Sequence, residues 1–193
     1  MGLKNGYWVL PGKLAAGEYP GSQYSVETKL RVKKLLHEGI TAFVDLTEDF
    51  ELEPYDPFLP ENVEYARIPI KDMGIPTKGT MDRILQKIET WLSDGKVVYV
   101  HCWGGIGRTG TVVGCFLKSR GEANPLEKVQ ELYLGGMSTD KIRRHPESPQ
   151  TPAQCRFVDR WGTEDEEESG EASSYIDALP GRRMVSIRGK WTS

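Results

Sequence analysis

Cysteine is scarce in this chain, with three in 193 residues. Cys102, Cys115 and Cys155 cannot form a disulfide framework, which points to a reducing, cytoplasmic compartment. Long hydrophobic runs are missing as well. No stretch approaches 18 uninterrupted apolar residues, so no segment is expected to span a membrane. The early run Tyr7-Trp8-Val9-Leu10 is too short for a secretory signal. Nor is there an excess of positive charge. The net charge of −3 argues against sequence-independent nucleic-acid binding, which needs a basic face. Internal repeats are absent.

What is present suffices for a core, with 38% hydrophobic and 27% charged residues. Residues 1–163 carry 21 acidic and 21 basic side chains, so this body is neutral. Residues 164–193 carry seven acids against four bases, which accounts for the whole net charge. Their run Glu164-Asp165-Glu166-Glu167-Glu168 repels itself and has nothing to bury. The expected organisation is therefore one domain over 1–163 and an acidic linker and tail over 164–193.

Strand and helix patterns alternate along the body. Short β-rich segments at 7–10, 13–16, 40–46, 63–70 and 96–100 read as strands. Residues 22–38 predict a helix on the spacing of Val26, Leu30, Lys33 and Leu36, stopped by Gly39. Residues 77–94 predict an amphipathic helix with Met81, Ile84, Leu85, Ile88, Trp91 and Leu92 on one side. Further helices are expected over 109–119, from Asn124-Pro125 with Glu127 closing a capping box, and over 152–161. Residues 47–62, with Pro54, Pro57 and Pro60, read as a surface loop. The expected fold is a single α/β domain: a largely parallel central sheet of about four to five strands, with helices on both faces.

The chemistry concentrates in His101-Cys102-Trp103-Gly104-Gly105-Ile106-Gly107-Arg108-Thr109-Gly110, between the strand at 96–100 and the helix at 109–119. Backbone N–H groups of a glycine-rich turn can converge, and a helix N-terminus adds unpaired donors and partial positive charge. Such a nest fits an oxyanion. Arg108 supplies a planar fork for phosphate, and the same field stabilises a thiolate at Cys102. Gly105-Ile106-Gly107-Arg108-Thr109-Gly110 also satisfies the dinucleotide fingerprint G-x-G-x-x-G. That reading needs a second strand ending in an acid about 20 residues on. Here the helix is followed by Gly121-Glu122-Ala123-Asn124-Pro125 and another helix, so the fingerprint is rejected.

His-Cys-x-x-Gly-x-x-Arg-Thr, from His101 to Thr109, resembles the signature loop of cysteine-dependent protein tyrosine phosphatases. The compact size and short reach before the loop resemble the dual-specificity-like branch, with the likeness carried by residues 95–163. The resemblance implies hydrolysis through a cysteinyl-phosphate, with no metal or other cofactor. It implies Cys102 as nucleophile, Arg108 as phosphate clamp and Thr109 as the hydroxyl that eases thiolate departure. Trp103, Gly104, Gly105, Ile106 and Gly107 would line the phosphate, and His101 would brace the loop.

A general acid must protonate the leaving oxygen. Candidates by type are Asp45, Glu48, Asp49, Asp56 and Asp72. Asp72 is favoured, because it sits on a turn after the strand at 63–70, at the expected carboxyl edge of the sheet. Asp45 and Asp49 are the reserve. The Trp-Pro-Asp form of tyrosine-specific members is absent. Gln154 reads as a polar residue in a first helical turn, with water positioning as the alternative. Lys141, Arg143, Arg144 and His145 form a small basic cluster, read as a solvated loop. Cys115 reads as core, and Cys155 has nothing in the sequence that places it near Cys102.

The expected substrate is a phosphorylated protein or peptide, with phosphotyrosine foremost, and phosphate or other oxyanions are expected to inhibit at the loop. Neither a nucleic-acid nor a membrane partner is expected. Two alternatives stand beside this reading. One is a phosphoinositide or other non-protein phosphatase, which the lack of lysine between Cys102 and Arg108 disfavours. The other is a non-catalytic phosphate-binding module, which the presence of cysteine, arginine and acid together disfavours.

Overall fold

A computed structural model describes residues 3–163. The acidic run and tail at 164–193 lie outside the described residues. The strands are β1 (Gly6–Leu10), β2 (Leu14–Glu18), β3 (Ala42–Asp45), β4 (Glu64–Arg67) and β5 (Val98–Cys102). They form one sheet in the order β1-β2-β5-β3-β4. β1 and β2 are an antiparallel pair, and every other neighbouring pair is parallel. The helices are α1 (Ser25–His37), α2 (Lys78–Ser93), α3 (Gly107–Ser119), α4 (Pro125–Gly136), α5 (Thr139–Arg144) and α6 (Pro152–Arg160). None is long and apolar enough to cross a membrane.

Strand periodicity assigns side chains to the two faces of the sheet. Leu14, Ala16, Ala42, Val44, Val98, Val100 and Cys102 join one core with Met81 and Ile84 of α2, Val112 and Phe116 of α3, Val129 of α4 and Val158 of α6. Ala15, Phe43 and Tyr99 face the other way, into a second cluster with Val32 of α1 and Tyr55 from the long loop. In the parallel register Val100 stands beside Ala16 and Val44, His101 beside Gly17 and Asp45, and Cys102 beside Glu18. The parity of β5 thus turns Cys102 toward the larger core and His101 toward the opposite face.

The long loop between β3 and β4 is irregular as expected, apart from a 3₁₀ turn at Asp56–Phe58. Three local expectations are corrected. α1 starts at Ser25 rather than 22, because Ser22 binds Thr28 and Glu27 ahead of the helix. Its buried face is Thr28 and Val32, while Val26 and Leu30 stand exposed. The expected capping box at Asn124 does not form: no side-chain cap bond is made there, and the Asn124 N–H goes to Glu122 instead. A capping box does form at Thr151 and Gln154.

Candidate active site

β5 runs two residues further than its apolar pattern indicates, so Cys102 is its last residue and is 3% exposed. The chain then turns through 103–106 and enters α3 at Gly107. Gly105 has φ +70° and lies so close to β2 that an added Cβ would stand 2.3 Å from the Gly17 carbonyl carbon. Only glycine fits both demands.

Three carbonyls of this turn are held from outside. The Trp103 oxygen accepts from the Tyr19 N–H at 3.0 Å. The Gly104 oxygen accepts from Lys141 Nζ at 2.8 Å. The Ile106 oxygen accepts from Ser148 Oγ and from the Gly110 N–H, each at 2.9 Å. In a planar trans peptide the next N–H points opposite to the carbonyl. The amides of Gly104, Gly105 and Gly107 are therefore turned away from these anchors, and among the described residues they have no acceptor. Together they leave unpaired donors at the start of a helix, which is the arrangement an anion seeks.

Arg108, the second residue of α3, carries its guanidinium to the loops that follow β3 and β4 while remaining 2% exposed. Glu51 grips it bidentately, Oε2 accepting from Nη1 at 2.8 Å and Oε1 from Nη2 at 2.6 Å. Nη1 also donates to the Ile70 carbonyl at 3.2 Å, and Asp72 Oδ1 lies 2.9 Å from Nη2. Backbone bonds from Leu46 to His101 and from Ile70 to Leu46 tie the exits of β3 and β4 to β5, which delivers both acids to the arginine. Burial opposes the guanidinium charge. The Glu51 hydrogen bonds and the negative charges of Cys102, Glu51 and Asp72 outweigh it and hold the proton more tightly than usual. Burial likewise opposes ionisation of Glu51, but Arg108 and the Glu48 N–H reverse this and lower its carboxyl below the usual range. Among the described residues Arg108 Nε has no partner.

Glu51 was not among the acids singled out from the sequence. Its only signal there is a place in an acidic stretch just after a strand that ends at the site. Glu51→Gln should lower kcat/KM by about 10–100-fold, the loss expected when one charge-assisted pair holding a buried guanidinium is removed. Steady-state kinetics with p-nitrophenyl phosphate measures this, and an unchanged kcat/KM would show that Arg108 is held without it.

Behind the turn lies a buried polar network. Asp45, fully buried, accepts from the Thr47 N–H and hydroxyl through Oδ1, and from Tyr65 and Arg67 through Oδ2. Burial opposes its charge, and His101 with the Thr47 and Tyr65 hydrogen bonds overcomes this, so the carboxyl stays below its ordinary range. It faces inward and has no path to a leaving group, which removes it as a reserve acid. His101 is fully buried, with Nε2 2.7 Å from the Tyr55 hydroxyl. Burial lowers its pKa despite Asp45 nearby. The unfolded chain therefore binds this proton more readily than the folded one, and stability falls as pH drops below about 6.5, the ordinary histidine value. Asp45 and Glu51 lose their contributions only further down, below about 4.5. Thermal melts from pH 7.5 to 5 should show a decline that His101→Asn flattens. A wild-type midpoint level across that window would contradict the assignment.

With this geometry in hand, relatives can be compared. Residues 4–158 match the family described as Swiss Army Knife protein, DSP-PTPase phosphatase domain. The chain belongs to this family. "Putative tyrosine phosphatase 067L" of Invertebrate iridescent virus 3 is 32% identical over 140 residues, covering 68% of this chain and 57% of that protein. The Arabidopsis thaliana protein named "Phosphatidylinositol 3,4,5-trisphosphate 3-phosphatase and protein-tyrosine-phosphatase PTEN1" is 30% identical over 113 residues, 56% of this chain and 25% of that one. The crystal structure of Tk-PTP in the active form superposes with a TM-score of 0.63 at 25% identity, covering 81% of this chain and 95% of that chain. The chain spans about half the length of the first curated relatives it matches.

In this DSP-PTPase domain the other sequence candidates divide. Trp103 is 59% exposed at the rim, whereas Ile106 and Thr109 are buried, and the Thr109 hydroxyl has no partner among the described residues. Gln154 is fully buried. Its Oε1 accepts from the Gln150 and Thr151 N–H groups, and its Nε2 donates to the Gly74 carbonyl. It packs so closely on the turn that a Cβ on Gly107 would stand 2.8 Å from Oε1. Glu48 accepts from the Asp72 N–H, and Asp49 pairs with Arg67 away from the arginine of the loop. Asp56 begins the 3₁₀ turn. The basic cluster is not one solvated loop: Arg143, Arg144 and Lys141 belong to α5, and Lys141 turns inward to Glu18 and Gly104. Cys115 is buried in α3, where burial pushes its thiol up. Cys155 lies in α6, its sulfur 3.9 Å from the Pro149 oxygen. A separate groove of about 970 Å³ runs along α1, lined by Leu3, Tyr19, Leu30 and Leu35, away from Arg108 and its acids.

Proposed function

We propose that this protein hydrolyses phosphomonoesters through a cysteinyl-phosphate, with phosphotyrosine in proteins foremost and phosphoserine or phosphothreonine as further substrates. One observation carries the reading: a buried thiol and a buried arginine stand at the two ends of one turn, where the Gly104, Gly105 and Gly107 amides have no acceptor among the described residues. In this mechanism the phosphoryl oxygens take the amides of Gly104, Gly105 and Gly107 and the Nε–Nη2 edge of Arg108. Asp72, 2.9 Å from Nη2, yields that edge to phosphate and moves toward the leaving group.

The Cys102 thiolate then attacks phosphorus in line. The S–P bond forms, the P–O bond to the leaving group breaks, and Asp72 gives that oxygen its proton. Water next attacks phosphorus while Asp72 takes its proton. The S–P bond breaks, inorganic phosphate leaves, and the thiolate returns with the Thr109 hydroxyl as its hydrogen-bond donor. His101 braces Cys102 from behind, and Gln154 is a candidate to orient the water once its bond to Gly74 opens.

The rim supports an aromatic leaving group. Trp103, Phe50 and Met73 are all exposed, and the last two are chain neighbours of Glu51 and Asp72, the acids on Arg108. A second reading, phosphoinositide hydrolysis, draws on the Arabidopsis relative. Against it, no base lies between Cys102 and Arg108. Phosphate release from phosphotyrosyl and phosphoseryl peptides, set beside inositol phospholipid vesicles, separates the two. Faster turnover of the phosphotyrosyl peptide is expected, and faster turnover of the lipid would reverse the assignment. The same reading takes 1–163 as the catalytic domain and 164–193 as an acidic linker, in the cytoplasm, where three unpaired thiols persist.

A further inference from the structure

We infer that Lys141 of α5, outside the signature loop, is a positioning residue for the phosphate cradle, with Glu18 as its anchor. This rests on the phosphatase reading above and extends it to a part of the fold that no motif marks. Lys141 Nζ donates to the Gly104 carbonyl at 2.8 Å and pairs with Glu18, and both side chains are largely buried, at 12% and 25% exposure. Holding that carbonyl outward forces the Gly105 N–H the other way, because the peptide between them is planar. Gly104 and Gly105 offer no side chain to resist a flip, so the orientation depends on what grips the carbonyl.

The anchor is itself fixed at every polar atom. Glu18 is the residue beside Cys102 in the β2–β5 register. Its N–H donates to the Asn5 carbonyl, its carbonyl accepts from the Tyr99 hydroxyl, and its Oε1 accepts from Asn5 Nδ2. Asn5 in turn accepts from the Ser138 N–H, immediately before α5, through Oδ1. Asn5 thus ties the start of α5 to β2, and Glu18 draws the ammonium of α5 onto the turn. An ammonium suits this task, since it can serve carboxylate and carbonyl at once. The Trp103 and Ile106 carbonyls are held by Tyr19 and Ser148, so Lys141 supplies the third grip, on the peptide between two glycines.

Calorimetric binding of tungstate tests this in wild type, Lys141→Met, Lys141→Arg and Glu18→Gln, with melting temperatures recorded alongside. Lys141→Met should weaken tungstate binding by about tenfold and lower kcat for p-nitrophenyl phosphate by about 10–100-fold. Lys141→Arg, which keeps a donor for both partners, should recover most of each. In amide NMR spectra the Gly105 resonance should shift on tungstate binding in wild type and lose that shift in Lys141→Met. Should Lys141→Met not fold, Glu18→Gln carries the test, with an expected several-fold loss of tungstate affinity. Variants that melt lower yet bind tungstate and turn over as wild type does would overturn the inference. Wild type failing to bind tungstate would overturn the phosphatase reading itself, and this inference with it.

Discussion

Serine in place of Cys102 should reduce turnover of p-nitrophenyl phosphate by about 10⁴-fold or more, the scale seen when a covalent nucleophile is removed. The hydroxyl is nearly the size of the thiol and occupies the end of a strand packed on both sides, so the fold should persist. Phosphate binding should persist as well, because the amides and Arg108 supply the attraction. The variant therefore separates binding from chemistry: tungstate affinity within a few-fold of wild type, with no burst of product and no phosphoenzyme trapped by acid quench. Turnover surviving in the serine variant would mean that another nucleophile acts, and the cysteinyl-phosphate route would be wrong. Tight oxyanion binding with equal, negligible turnover in wild type and variant would instead mark the protein as a phosphate-binding module.

Asp72→Asn should lower kcat by about 10²–10⁴-fold with a poor leaving group such as a phenyl ester, the usual worth of a positioned general acid. The loss should shrink as the leaving group improves, since a stable phenolate needs no proton. The step needs a thiolate and a protonated acid together, so wild type should show a bell-shaped pH profile whose falling limb reports loss of the acid's proton. The variant should lose the falling limb alone. A profile unchanged in shape would pass the role to another acid. Asp45 is not available for it, being fully buried and hydrogen-bonded through both oxygens, so the search would begin with Asp49 and Glu48. Asp72 also pairs with Arg108, so Asp72→Asn should not weaken tungstate binding and should tighten it modestly. That sign distinguishes an acid displaced by phosphate from one that helps to hold it.

Local pattern was enough for much of this architecture. The valines of β5, the amphipathic run of α2 and the glycine-rich turn between strand and helix each follow from spacing along the chain. Helix edges were less legible where side chains compete for backbone groups, as Ser22 and Thr28 do ahead of α1. The apolar spacing of α1 misleads, because Val26 and Leu30 are exposed while Thr28 and Val32 are buried. Local sequence points to a capping box at Asn124, whereas the box that forms is at Thr151, with Gln154 also reaching the loop at Gly74. Each of these depends on a neighbour distant in the chain.

By itself the sequence determined the chemical type of this protein. A cysteine, three glycines and an arginine within seven residues, between a strand and a helix, are a local constellation whose meaning survives without coordinates. Tertiary structure alone decided which distant groups hold that constellation in working order. Glu51 on Arg108, Asp45 turned inward and Lys141 on the Gly104 carbonyl are contacts spanning tens of residues, set by parallel strand register and by the order β1-β2-β5-β3-β4. In α2 periodicity reports which face is buried. It carries no information about which charged side chain from another element meets it there, and that pairing governs how the turn is held.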